Sequence, residues 1–202
     1  MIEQLEQVAQ RPVSRETFER LQRYAALLRE ENELQNLVSA STLDHLWDRH
    51  ILDSAQLLRF EPHFGASWVD IGSGAGLPGI VIACLVDGPV TLIEPRRLRA
   101  DFLHRAAESL QLRVNVLCAK VERVEGSYEV ITARAVANLG RLLQISHHLS
   151  TTKTVWALPK GKNALAELSD ARGSWQGDFR VERSVTDADS YIVVGTGIRA
   201  RK

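Results

Sequence analysis

From Ser67 onward the chain alternates between short apolar runs and longer stretches whose apolar positions recur at helical spacing. Trp68–Ile71, Val90–Glu94, Val114–Leu117, Tyr128–Thr132 and Thr154–Leu158 are runs with the composition of strands buried on both faces. Pro78–Val86, Leu98–Leu110, Leu139–Leu149 and Asn163–Ala171 read as helices between and after them. Strands alternating with helices predict a parallel sheet covered on both faces. At the end the period changes, and Phe179–Val185 and Tyr191–Gly195 alternate as a β-hairpin around Asp187-Ala188-Asp189.

The first part of the chain carries only the helical period. Ile2 to Ala9 has helical spacing and stops at Pro12. Ser14 caps a longer helix in which Phe18, Leu21, Tyr24, Ala25 and Leu28 share a stripe, running to about Asn32. Asn36 to Ser39 break it. Thr42 caps a further helix through Leu46, Trp47, His50, Ile51, Ser54 and Leu58, closed by Pro62 and Gly65. Residues 1–64 form a helical extension too small to be stable alone, so it is expected to pack on the α/β unit, residues 65–202.

Composition narrows the class. Of 202 residues, 45% are hydrophobic and 25% charged, the balance of a globular protein. No apolar run reaches the roughly 20 residues of a membrane span. Met1 to Gln10 is acidic and amphipathic and lacks the basic flank of a signal peptide. Cys84 and Cys118, outside any C-x-x-C, read as small buried hydrophobes of a cytoplasmic protein. The zero net charge divides into −4 over residues 1–64 and +4 over the rest. The surplus lies in Arg96-Arg97-x-Arg99, Lys160-Gly161-Lys162 and Arg199-Ala200-Arg201-Lys202, clusters suited to phosphates but also common on ordinary surfaces. The histidines show no metal-ligand spacing, and a monomer is the default.

Candidate chemistry gathers where the predicted strands end, which is where open α/β sheets bind ligands. After Trp68–Ile71 comes Gly72-Ser73-Gly74-Ala75-Gly76-Leu77-Pro78-Gly79, a strand-to-helix turn that places a nucleotide-like cofactor on its main chain. Pro78 suits the first turn of the following helix. Gly74 to Gly79 satisfy G-x-G-x-x-G, which leaves a nicotinamide dinucleotide and an oxidoreductase as one reading. Charge favours another. Asp70, two residues before the first glycine, would repel a pyrophosphate but attract the cationic S-adenosylmethionine (SAM). Pro78 also removes an N–H that a pyrophosphate would use.

The other strand ends supply further candidates. Glu94 matches a ribose diol, and Val121 and Glu122 sit where an adenine would be edged. Arg134 emerges from an apolar strand into small residues, and its partner is an RNA phosphate, a base edge, the cofactor carboxylate or a local acid. Lys160, followed by Gly161, suits a phosphate backbone. His50 and Asp53 share a helix face and reach toward the glycine turn or serve packing.

Taken together these motifs resemble the bacterial RsmG (GidB) family of SAM-dependent small-subunit rRNA methyltransferases. The likeness runs over roughly residues 30–165. It includes Asn36-Leu37, His50-Ile51-Leu52-Asp53-Ser54, the turn from Asp70 to Gly79, Leu92-Ile93-Glu94, Phe102-Leu103, Arg134-Ala135-Val136-Ala137 and Lys160-Gly161. Arg96-Arg97 stands where the family usually has a Lys-Arg pair, and Lys120-Val121-Glu122 where Arg-Ala-Glu is usual. The resemblance implies a Class I methyltransferase fold and methylation at N7 of one guanine of 16S rRNA. It implies that Asp70, Gly72, Ser73, Gly74, Gly76, Leu77, Glu94, Val121, Glu122 and Arg134 bind the cofactor, and that Arg134 and Lys160 serve the reaction. An RNA-binding assembly factor without catalysis is the reading from another class.

Overall fold

The computed structural model describes residues 1–201; Lys202, the last residue of the basic tail, and the side chain of Ala40 lie outside what is described. Strands β1 (Trp68–Ile71), β2 (Val90–Ile93), β3 (Val114–Leu117), β4 (Val130–Ala133) and β5 (Val155–Lys160) are mutually parallel. β6 (Trp175–Arg183) and β7 (Tyr191–Ala200) form the hairpin, with β7 antiparallel to β5, and the order across the sheet is β3-β2-β1-β4-β5-β7-β6. The order reverses beside β1, so the carboxyl ends of β1, β2 and β4 open onto one crevice.

Residue parity decides what each face carries. Trp68 packs in the hydrophobic layer on one face of the sheet, with Leu92, Val130 and Ile192. Val69 and Ile71 pack in the layer on the other, with Ile93, Ile131, Trp156 and Val193. The first layer is closed by α1 (Ile2–Ala9), α2 (Arg15–Gln35), α5 (Gly79–Leu85) and α6 (Arg97–Ser109), the second by α7 (Leu139–Ser146) and α8 (Ala164–Ala171). α1 and α2 thus share a core with the sheet: Leu5, Leu21, Tyr24 and Leu28 are wholly buried in the layer that holds Trp68. Ser14 caps α2, its hydroxyl accepting from Thr17 N–H at 3.1 Å, and Asn36 ends it in the left-handed region.

The segment after α2 departs from the sequence expectation of one helix capped by Thr42. It is a series of short pieces, α3 (Ala40–Leu43), a wide π-type turn (Trp47–Leu52), α4 (Asp53–Ala55) and a tight 3₁₀ turn (Gln56–Phe60). The changes of pitch bring His50, Asp53 and Gln56 to bear on the C-terminal half of the chain. Such irregular turns cluster at functional sites. Two smaller corrections concern single residues. Pro78 stands just ahead of α5 instead of opening it, and Cys118 is exposed beyond the end of β3 while Cys84 is buried.

Candidate active site

The glycine turn is built as much for packing as for ligand approach. Gly72 and Gly74 have φ of 67° and 54°, a region that L side chains enter at a cost. A Cβ on Gly74 would meet Gly72 O at 3.7 Å and Arg99 Nη1 at 3.8 Å, ordinary contacts, so there is room for one. On Gly72 it would stand 2.6 Å from Val136 Cγ2, which closes the loop after β4 over the turn. On Gly76 it would stand 2.6 Å from Ile80 Cγ1, so core side chains fill the space beside that glycine. Tyr24 of α2 donates from its hydroxyl to Ala75 O at 2.7 Å and braces the turn from below.

Two carboxylates flank this turn. Asp70 is buried; its Oδ2 accepts from Gly79 N–H at 3.1 Å at the start of α5, and its Oδ1 is buried with no partner. Burial pushes its carboxyl up to about 7, against the pull of that hydrogen bond. Glu94, also buried, accepts from Gly74 N–H at 2.9 Å through Oε2 and from Arg96 N–H at 2.8 Å through Oε1. A buried acid held by main-chain N–H groups at the end of β2 and a partnerless acid oxygen below the turn suit a cationic cofactor bearing a diol. They do not suit a pyrophosphate.

Beside the turn, at the ends of β4 and β5, lies a cavity of about 400 Å³ lined by Asp53, Arg134, Val136, Lys160, Glu167 and Tyr191 among others. Arg134 donates from Nη1 to His50 Nδ1 at 3.0 Å and stands 3.5 Å from Asp53 Oδ2. His50 is therefore the tautomer with hydrogen on Nε2, and that atom is buried without a partner. Burial, with Arg134 alongside, pushes His50 down to about 4. Burial raises Asp53 from the ordinary carboxylate value, while Arg134 pulls it back. Ala135, next in the chain, has a left-handed φ of 57°, a strained setting that functional loops often hold. Lys160 Nζ donates to Ala137 O and pairs with Glu167 Oε2, both at 2.8 Å.

The match to known proteins decides the class. The family model "GidB: rRNA small subunit methyltransferase G" matches residues 17–191. The chain belongs to the rRNA small subunit methyltransferase G family. A relative of that name from Zymomonas mobilis is 47% identical over 199 residues, covering 94% of this chain and 90% of its own. One from Novosphingobium aromaticivorans is 49% identical over 184 residues, covering 89% and 80%. The fold is also that of a SAM-dependent methyltransferase from Aquifex aeolicus (TM-score 0.61, 16% identity, 82% of this chain and 96% of that one). It is likewise that of M. jannaschii TYW2 in complex with AdoMet (TM-score 0.58, 15% identity, 75% and 76%). The chain is thus a SAM-dependent methyltransferase of small-subunit rRNA with the Class I fold, and the dinucleotide and non-catalytic readings fall away.

Against that family's implied site, several sequence expectations change. Arg134 is met by His50 and Asp53, so of its four candidate partners the local acid is the one found. His50 and Asp53 turn to Arg134 and not to the glycine turn. Lys160 donates to Ala137 O and pairs with Glu167 Oε2 in the cavity wall, which takes two of its three ammonium hydrogens. Ser73, Leu77 and Val121 are buried, the Ser73 hydroxyl donating to Asp70 O at 3.0 Å. Glu122 is exposed. Sequence reasoning missed Tyr24, Gln56 and Glu167. Only Tyr24, a hydroxyl on an apolar stripe, and Gln56, a polar residue at core spacing, left any trace. Among the described residues no group of histidine, cysteine and acid side chains is placed to hold a metal.

Proposed function

We propose that this methyltransferase modifies N7 of a guanine in 16S rRNA, with the target base in the cavity beside the glycine turn. The observation that carries this reading is how the cavity's basic groups are occupied. Asp53 and Glu167 are each paired with a cation, and the acceptor nitrogen of His50 is taken by Arg134. A reaction that had to remove a proton from its substrate would be poorly served. Guanine N7 carries an in-plane lone pair and needs no base.

Bound SAM supplies an electrophilic methyl group and a neutral sulfur leaving group. The turn from Gly72 through Leu77 would hold it by the main chain, with Glu94 at the ribose hydroxyls and Val121 and Glu122 at the adenine. Asp70 would act from beneath, by its field and by fixing the turn. Glu94, whose Oε2 accepts from Gly74 N–H, would offer its carboxylate to the diol. Arg134 orients the target nucleotide through the guanidinium hydrogens that His50 and Asp53 leave unused. Its pairing with Asp53 matters to the chemistry, because the base gains positive charge and an unpaired cation beside it would oppose the reaction. The place of action is the cytoplasm, in keeping with a substrate in the ribosome; among the described residues no helix is long and apolar enough to cross a membrane.

The test is transfer of labelled methyl from SAM into small subunits that lack the modification, followed by digestion to nucleosides. Label in N7-methylguanosine is expected. Label in another nucleoside, or none, overturns the assignment. Arg134→Ala is expected to abolish transfer while leaving SAM affinity intact; equal loss of SAM binding in calorimetry would place Arg134 in the cofactor site.

A further inference from the structure

An enzyme that alkylates N7 must tell guanine from adenine, because both purines carry that nitrogen. The two differ at position 6 beside N7, and over three positions along the edge that faces away from it. Guanine presents an acceptor and two donors there (O6, N1–H, N2–H₂), whereas adenine presents a donor and then an acceptor. A guanine reader needs a donor set beside a free acceptor, and charged groups discriminate most strongly.

The cavity holds one such pair with hydrogen-bonding capacity to spare. Lys160 Nζ and Glu167 Oε2 stand 2.8 Å apart, with side chains 9% and 27% exposed, and both line the cavity. Nζ donates one further hydrogen to Ala137 O, and Oε2 also accepts from Leu139 N–H at 2.8 Å. Among the described hydrogen bonds, one ammonium hydrogen and the whole of Glu167 Oε1 remain free. The other acid of the cavity offers less. Asp53 Oδ1 already accepts from Gln56 and Thr186, and Oδ2 faces Arg134.

We infer that Lys160 and Glu167 select guanine, Lys160 donating to O6 and Glu167 Oε1 accepting from N1–H and N2–H₂. The inference rests on the reading that guanine N7 is the acceptor. Adenine is refused because its amino group would meet the ammonium and its N1 the carboxylate. The pairing also serves the chemistry, since Glu167 cancels the charge that a lone ammonium would set against the cation forming on the base.

The same pair braces the Ala137–Leu139 stretch, so the test reads a ratio instead of an activity. Once chain cleavage at the N7-methylated residue has mapped the guanosine, small subunits are reconstituted with guanosine or with inosine, which lacks the 2-amino group, at that position. The wild-type enzyme is expected to favour guanosine in kcat/KM by roughly 10- to 100-fold. In Glu167→Gln the amide oxygen is held by Lys160 and the Leu139 N–H, so its NH₂ turns to the base and meets guanine's donors. The preference is then expected to collapse to within a few-fold or invert. A wild-type ratio near one overturns the proposal without any variant. So does a Glu167→Gln enzyme, folded and binding SAM, that slows on both substrates equally and keeps the ratio. Label outside N7-methylguanosine defeats the underlying reading at the mapping step, before inosine is used.

Discussion

Asp70 and His50 are buried ionisable groups pulled in opposite directions, and their contributions to stability oppose each other over the same pH range. Asp70 titrates near 7 in the folded chain against about 4 when unfolded. Between those values the folded state binds more protons, so its contribution grows as pH falls from 7 toward 4. His50 titrates near 4 folded against about 6.5 unfolded, so the unfolded state binds more protons and stability is lost as pH falls through that range. Each shift amounts to about a few kcal/mol across its range. Asp70→Asn is therefore expected to make the melting temperature fall more steeply between pH 7 and 4.5 than in the wild type, and His50→Gln to make it fall less. Parallel curves for all three proteins would show that neither group is shifted in the fold. The glycines allow a second comparison at this scale. A Cβ on Gly79 would collide with Leu92 and stand 2.6 Å from Asp70 Oδ2, whereas Gly74 has room but a left-handed φ. Gly79→Ala is expected to cost about 1–3 kcal/mol by overpacking, with the loss read in denaturant melts. Gly74→Ala should cost about 1–2 kcal/mol and weaken SAM binding as well.

Between elements, the least legible stretch of the sequence is the one that organises the cavity. The β1 bounds follow from its apolar run, because a strand covered on both faces leaves a contiguous signal; β3 keeps its predicted bounds at the sheet edge, with Asn115 exposed. β6 begins at Trp175, earlier than its pattern predicts. It is the edge strand, and exposed Gly177 and Asp178 lie within it without a core to select apolar residues. The region from Ala40 to Phe60 has helical periodicity throughout, but no local signal marks its changes of pitch, which follow from contacts made far along the chain. Gln56 shows this best. Its Oε1 accepts from Val185 N–H at 2.9 Å, and its Nε2 donates to Ser184 Oγ at 3.0 Å and to Asp53 Oδ1 at 2.8 Å. One side chain thereby ties the β6–β7 turn to the acid that holds Arg134. Gln56→Ala leaves the Val185 N–H without its partner, at about 1–3 kcal/mol. Faster amide exchange over residues 184–190 and a raised KM for small subunits are expected, with SAM affinity unchanged. Unaltered exchange there would mean that the turn is held by its own Ser184 and Thr186 contacts.

On the scale of the whole molecule, the helices before Ser67 are a wall of the core, and the charge division follows from that placement. They carry net −4 while the remainder carries +4, so the basic clusters all belong to the part that follows them. Leu5, Leu21, Leu28, Leu46 and Ile51 bury against the same layer as Trp68, Leu92 and Val130. Tyr24 reaches through it to the glycine turn, and Arg11 pairs with Glu61 and donates to Leu85 O at the end of α5. A chain beginning at Gly65 would expose the part of that face left uncovered by α5 and α6, together with the sides of α5 and α6 that pack on α2. At roughly 25 cal/mol per Å² of apolar surface, no single ligand contact offsets such a loss. That fragment is expected to melt without a cooperative transition, to bind a hydrophobic dye, and to gain nothing from saturating SAM, since the brace of the turn has gone with the face. A sharp transition with full SAM affinity would instead make the α/β unit self-sufficient and the helices an accessory. Adding back residues 1–64 as a separate peptide is then the decisive comparison, because a core wall restores cooperativity in trans and an accessory leaves the melt unchanged.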